Sequence, residues 1–145
     1  NYNGNTPVSA FSFKGTLTKE DIDALALPTN TYYCVRVGTD VSAIGDAAFF
    51  DARLWEIHLP WTIREIGVSA LGASAVRNGV LRYFDIYGRD NQMEYQTTAV
   101  SSKQHGFLTI KEFAFANQQN IVQAHFPPYQ SINLSTASFY NCKVY

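Results

Sequence analysis

Three side chains of the sequence, His58, Asp85 and His125, are of residue types suited to chemistry. Imidazole and carboxylate are ligands for transition metals, and they also hydrogen-bond to binding partners. Each stands between two apolar residues, as does a strand residue that faces solvent while its neighbours face the core. The sequence contains no GxSxG, GxGxxG, P-loop, HExxH or EF-hand pattern, so a conventional hydrolase or nucleotide site has no support.

These residues belong to a pattern that recurs five times: an apolar residue, two others, a second apolar residue, one other, and a third apolar residue. The last two apolar positions alternate as in a half-buried strand, so we predict one strand per copy. The copies are Val8/Phe11/Phe13, Tyr32/Val35/Val37, Leu54/Ile57/Leu59, Leu81/Phe84/Ile86 and Ile121/Ala124/Phe126.

A second motif follows in phase with the first. It places an apolar residue, a small residue and a large apolar residue at offsets 0, 4 and 5. We expect a tight turn that enters a short helical segment, with glycine after the first residue to allow a positive φ. The copies are Ile44-Gly45-x-x-Ala48-Phe49, Ile66-Gly67-x-x-Ala70-Leu71, Ile110-Lys111-x-x-Ala114-Phe115 and Leu134-Ser135-x-x-Ser138-Phe139.

Two motifs in register predict a solenoid. One such unit cannot bury its apolar edge alone, whereas units stacked at about 4.8 Å, the spacing of paired strands, form continuous ladders of like residues.

The segments 44–60 and 137–142 closely resemble BspA-like leucine-rich repeats, whose pattern is roughly LxxIxLPxxVxxIGxxAFxxC. The resemblance covers residues 32–142, with departures at Lys111 and Ser135, which replace the turn glycine, and at Leu71, which replaces the aromatic residue. Only Cys142 keeps the cysteine of the pattern. The resemblance implies an α/β-type solenoid, a short leucine-rich-repeat stack with a parallel β-sheet on the concave face and short helical or 3-10 turns on the convex face.

We expect a single leucine-rich-repeat domain over residues 1–145. Residues 1–31 form an N-terminal cap with the first strand and a short helix, for which Thr18 and Asp21 nearly match a capping box. Regular repeats follow over 32–87, an inserted loop over 88–108 and further repeats over 109–145. The loop is either a binding element or a mobile spacer. No C-terminal cap is evident, which indicates either a fragment or an edge that pairs with another chain, so self-association there is one expectation.

Alignment of the five copies brings the solvent-facing residues into two rows across the sheet. One row is Ser12, Arg36, His58, Asp85 and His125, and its neighbour is Ala10, Cys34, Glu56, Tyr83 and Gln123. We predict ligand contacts by seven of these residues: Arg36, Glu56, His58, Tyr83, Asp85, Gln123 and His125. The alternative is an ordinary solvated face on which Asp85 hydrogen-bonds to a neighbour.

A metal site is disfavoured because His58 and His125 would lie two strands apart, roughly 9–10 Å at their backbones. We therefore expect no metal and no other cofactor. Cys34 and Cys142 lie 108 residues apart and form neither a metal motif nor an obvious disulfide framework, so we interpret both as small buried hydrophobic residues.

Four large aromatic residues are not committed to the apolar ladders: Trp55, Trp61, Tyr83 and Tyr87. They either contact a protein or glycan, since Trp and Tyr are enriched at interaction hot spots, or cover loops. Four arginines recur near the strands without forming a patch, and we expect them on a solvated surface: Arg36, Arg53, Arg64 and Arg82.

The charge composition of the chain excludes some classes of binding partner. With 11 basic and 12 acidic residues in 145, the chain has no electrostatic footprint for nucleic acid or an anionic membrane. No stretch approaches the ~18 apolar residues of a membrane span, and the first residues do not resemble a signal peptide.

Together these observations favour a non-catalytic binding module that recognises a protein or a surface glycan through the concave sheet and the inserted loop. The family resemblance implies an extracellular or cell-surface location and a role in adhesion. The alternative is a structural spacer or terminal fragment of a longer surface protein with no ligand of its own.

Overall fold

A computed structural model describes residues 11–27, 29–87, 107–126 and 131–145. This part of the chain forms nine short strands and one helix. In chain order they are β1 (Gly15–Leu17), α1 (Lys19–Ala24), β2 (Tyr33–Arg36), β3 (Val41–Ile44), β4 (Leu54–Pro60), β5 (Glu65–Ile66), β6 (Tyr83–Tyr87), β7 (Phe107–Ile110), β8 (Gln123–His125) and β9 (Ser131–Leu134).

The strands form two parallel sheets, and from β2 onward the chain alternates between them. The first sheet has the order β2-β4-β6-β8 and the second has the order β1-β3-β5-β7-β9. One strand of each sheet and the turn that follows make one rung, so the parallel-stranded stack expected from the repeats is present.

Four of the five copies of the first motif contain a strand. These four strands, β2, β4, β6 and β8, make up the whole first sheet. The first copy was wrongly predicted in its described part, since Phe11 and Phe13 lie in no strand, while Val8 is outside the described residues. The second sheet was not predicted. Its last four strands end at the first residue of the second motif: Ile44, Ile66, Ile110 and Leu134.

The predicted helical segment after each of these strands is not found in the described residues. Over residues 45–52 the chain instead makes successive turns, in which the Ala48 amide donates to the Gly45 carbonyl and the Phe50 amide to Ala47, both at 3.1 Å. Glycine does not supply the positive φ either. A left-handed residue lies three positions into each copy, at Ala47, Ser69, Phe113 and Ala137.

Hydrogen bonding between rungs explains why these segments are turns. The amide of Ala47 donates to the Val68 carbonyl at 2.8 Å, and that of Phe49 donates to Ala70 at 2.8 Å. A helix would use these amides within the segment, whereas the turns leave them free to bind the next rung. The turns therefore form a third ladder beside the two sheets.

The core consists of ladders of like residues, as the stacked repeats predicted. Ile44, Ile66 and Ile110 have no exposed surface, and the small position four residues later is buried in every copy. In the last copy this position is Ser138, whose hydroxyl donates to the Ile110 carbonyl at 2.7 Å and is thereby satisfied. The Phe115 and Phe139 rings stack with centroids 5.0 Å apart.

The short helix predicted near the N-terminal end is confirmed as α1, and Thr18 and Asp21 form its capping box. The Asp21 amide donates to the Thr18 hydroxyl at 3.1 Å, while the Thr18 amide donates to the Asp21 carboxylate at 3.0 Å. Ile22 packs into the core. The helix precedes β2 along the chain, so it belongs to the N-terminal part where a cap was expected.

Two other expected segments fall partly outside the described residues. Of the loop predicted over 88–108, residues 88–106 are not described, and Phe107 and Leu108 belong to β7 instead. At the end of the chain Val144 forms a parallel bridge with Ile121, where the next strand of the first sheet would lie. The domain boundaries stay predictions, as does the curvature of the sheets.

A buried glutamine joins two rungs. The Gln118 side chain donates to the Leu71 carbonyl at 2.7 Å and accepts from the Leu81 amide at 3.2 Å. Its side chain thus satisfies backbone groups that would otherwise be buried without partners.

The close approach of rungs makes Gly67 a test of the stack. A Cβ atom there would lie 2.5 Å from Asp46 Oδ1 and 2.8 Å from the Asp46 amide nitrogen. We expect Gly67→Ala to lower the free energy of unfolding by about 1–3 kcal/mol because the rungs must separate. Gly38→Ala is the matched control, since a Cβ there meets nothing within 4 Å. Urea denaturation measures both, and equal stabilities would contradict the close packing.

Gln118→Leu should also lower the free energy of unfolding, by about 1–3 kcal/mol, because two buried backbone groups lose their partners. Gln119→Leu is the neighbouring control, since the Gln119 side chain donates only to the exposed Asn141. Urea denaturation of the two variants should show a clearly larger loss for Gln118→Leu. A loss of the same size in both would show that Gln118 does not join the rungs.

Candidate functional site

The predicted rows are neighbours in the first sheet. Arg36 pairs in register with His58, His58 with Asp85, and Asp85 with His125. We call these four residues the polar row. Ser12, expected at its start, lies in no strand, and Ala10 of the neighbouring row is not described. The rest of that row is also in register and is called the second row here: Cys34, Glu56, Tyr83 and Gln123.

His58 is held between two carboxylates. Its Nδ1 atom hydrogen-bonds to Oδ1 of Asp85 on the next strand, and its Nε2 atom lies 2.5 Å from Oε2 of Glu56 on its own strand. Strand geometry explains the second contact, because residues two apart on one strand point to the same face. Asp85 therefore does hydrogen-bond to a neighbour, as the solvated-face interpretation expected.

This arrangement fixes the orientation of the His58 ring, because each ring nitrogen contacts a carboxylate oxygen. Glu56 is the most buried of the three residues, at 6% exposure. A metal ion or a nucleophile would have to displace one of these carboxylates to reach a nitrogen of His58.

The two histidines of the row do not converge on one point. His125 is exposed and lies beyond Asp85, while His58 is engaged by Asp85 and Glu56. Within the described part of the chain, no group of three or more His, Cys, Asp or Glu side chains is placed to hold a metal ion.

Arg36 extends the polar row by contact with an aromatic ring. Its guanidinium carbon lies 3.9 Å from the centroid of the Tyr87 ring, and the Tyr87 hydroxyl donates to the Val37 carbonyl at 2.5 Å. Burial and the negative charge of Asp85 raise the pKa of Tyr87 above its ordinary value, against the opposing effect of Arg36. Tyr87 thus stays neutral and holds Arg36 in place.

The remaining predicted residues lie beside this network. Tyr83 is half-buried, Gln123 is exposed, and each occupies its expected place in the second row. All seven predicted residues therefore lie on neighbouring strands of one sheet. Their role as ligand contacts stays a prediction.

Arg36, Arg64 and Arg82 are exposed, as expected of a solvated surface, and Arg53 is of intermediate exposure, but the contacts of these side chains were not predicted. Besides Arg36, the Arg53 guanidinium lies over the Tyr32 ring at 5.2 Å and that of Arg82 lies over Trp55 at 5.6 Å. Arg64 instead donates to the backbone carbonyls of Trp61 and Ile63. A signal was present for one pair, since Trp55 and Arg82 both follow the first residue of their motif copies.

The cysteines are less buried than we expected. Cys34 and Cys142 are both of intermediate exposure, and burial raises the pKa of the Cys142 thiol. Cys142 packs partly against the core, in keeping with a hydrophobic role.

Comparison with protein families matches residues 33–145 to the BspA type leucine rich repeat region, in 6 copies. This segment contains every described strand except β1. No curated protein and no solved structure matches the chain. In the described residues no helix has the length and apolar character needed to cross a membrane. Leucine-rich repeats of this type are generally non-enzymatic and commonly act in binding at surfaces. The chain belongs to the BspA-type leucine-rich-repeat family.

Proposed function

We propose that this domain is a non-catalytic binding module whose first sheet recognises a protein or a surface glycan in adhesion, outside the cell or at its surface. The observation that carries the proposal is the register of the polar row. Four strands place Arg36, His58, Asp85 and His125 side by side, so one partner can contact all of them.

The fixed orientation of these groups supports binding. His58 is held by two carboxylates and Arg36 by the Tyr87 ring. Side chains that are already ordered lose less conformational entropy when a partner binds, so more of the interaction energy appears as affinity. The row contains both a cationic side chain, Arg36, and an anionic one, Asp85, which favours a partner with complementary charges.

The same contacts argue against catalysis by His58. A histidine that activates a nucleophile needs one nitrogen facing that nucleophile and the other facing an orienting group. Both nitrogens of His58 instead face carboxylates. The network is therefore better suited to recognition than to proton transfer.

The inserted loop is part of the proposal. Residues 88–106 are not described, but β6 ends at Tyr87, directly beside the polar row in the chain, and β7 begins at Phe107. Tyr87, the last described residue before the insertion, contacts Arg36 and therefore lies beside the polar row. Insertions in repeat arrays often contribute to the binding face.

The alternative, a structural spacer, is supported by the continuity of the stack. Val144 already pairs with Ile121 at the last rung, so a further rung could add to the same sheet. A spacer would bind no partner, and the experiment below distinguishes the two functions. Pairing of a second copy at this edge would be a third use of the sheet.

The test is the combined variant Arg36→Ala, His58→Gln and Asp85→Asn, assayed for binding to arrays of extracellular proteins and glycans. We expect the parent to bind and the variant to lose binding by at least roughly tenfold, with a thermal midpoint within a few degrees of the parent. The control carries Glu65→Gln, Thr109→Ala and Asn133→Ala, a row in register on the second sheet.

Each outcome decides between the functions. Loss of binding in the first variant alone supports the polar row. Equal binding by parent and both variants places the contact elsewhere and overturns the assignment. No binding by the parent to any array member supports the spacer.

A further inference from the structure

Two exposed aromatic rings meet at the amino-terminal ends of the strands of the first sheet. Tyr32 and Trp55 are 49% and 40% exposed, and their ring centroids lie 5.4 Å apart at an interplanar angle of 73°. Large aromatic side chains normally bury most of their surface, so a pair left open to solvent marks a surface suited to a partner.

Each ring carries a guanidinium. Arg53 lies over Tyr32 at 5.2 Å and Arg82 lies over Trp55 at 5.6 Å. The ring centroids are 5.4 Å apart, so the two guanidinium carbons lie at most about 16 Å from each other. We call Tyr32, Arg53, Trp55 and Arg82 the aromatic-arginine cluster.

The cluster lacks an internal counter-charge. In the residues that the structure describes, neither arginine is ion-paired with a carboxylate. Arg53 donates from Nε to the Thr29 carbonyl at 2.8 Å, which fixes its orientation, and Arg82 is exposed. Guanidinium groups held in place without a carboxylate are available for bidentate contact with an anion from outside the chain.

We infer that the aromatic-arginine cluster binds a glycan that contains carboxylated sugars. This goes beyond the proposed function: it rests on the same role in binding at surfaces but assigns a second contact surface with its own residues and ligand class. The face of a pyranose ring presents C–H groups of slightly positive charge, which complement the negative face of an aromatic ring. A sugar carboxylate would accept paired hydrogen bonds from a guanidinium.

The arrangement favours a glycan over other anionic partners. A nucleic acid needs a broad basic surface, and the chain has a net charge of −1. An acidic peptide needs the guanidinium groups but not two open aromatic rings between them. A uronic-acid chain offers both elements, because carboxylates and apolar ring faces alternate along it.

Isothermal titration calorimetry with three probes tests the inference: a hyaluronan octasaccharide, a neutral oligomer of N-acetylglucosamine of the same length, and a deca-glutamate peptide. We expect binding of hyaluronan that weakens as salt rises, and at least roughly tenfold weaker binding of the other two. Trp55→Ala and Arg82→Gln should each weaken hyaluronan binding by roughly tenfold, while Trp55→Tyr, which keeps a flat ring, should retain most of it.

Lys14→Gln controls for the loss of one positive charge at an exposed residue outside the cluster and should leave binding unchanged. Circular dichroism melts verify that every variant is folded. Three results overturn the inference: no hyaluronan binding, equal binding of the neutral oligomer, or equal binding of deca-glutamate, which would indicate an acidic protein partner. The Arg36, His58 and Asp85 variant should still bind hyaluronan here, so failure of the polar row and failure of the cluster are distinguishable.

Discussion

Backbone hydrogen bonds between successive rungs are the constraint on which the rest of this structure depends. Each rung is bound to the next in the first sheet, in the second sheet and along the turns, where the amides of Ala47 and Phe49 donate out of their own rung. A rung alone would leave these groups unpaired and its apolar edge open, so no rung is stable by itself. The same bonds fix the strand register and hence every side-chain row on the sheets.

The parts of the fold that repeat were predictable, and the parts set by local packing were not. The first motif gave the strands of the first sheet because its apolar positions alternate. The second sheet was not predicted, because a strand such as β5, which is only Glu65–Ile66, is too short to show an alternating pattern of apolar residues. Short helical segments were predicted because offsets 0, 4 and 5 also suit a helical face, whereas the described residues form successive turns. The left-handed residue at Ala47 carries no signal, since alanine rarely adopts that conformation.

In the candidate site too, the positions of the residues were predictable from the sequence and most of their side-chain contacts were not. Register follows from motif spacing, so His58, Asp85 and their neighbours were correctly placed side by side. Side-chain contacts depend on rotamers and burial, so the clamp of His58 between Glu56 and Asp85 was only partly foreseen, and the arginines over aromatic rings were missed. The outcome is a sheet with two surfaces of different chemistry: the polar row, which crosses the four strands, and a cationic aromatic cluster at their amino-terminal ends. A repeat stack can carry both because each rung adds side chains without altering the ladder.

Residue-resolved hydrogen exchange of the backbone amides tests the rung ladder most directly. The informative amides are those of the turns, such as Ala47, Phe49, Ser69 and Leu71, because each donates to a carbonyl of the following rung. The ladder predicts that they exchange as slowly as the amides of β4 and β6 and that they lose protection together with those strands. Rapid exchange at these turns, at the rate of exposed loop amides, would contradict the account and would leave the side-chain rows without their support.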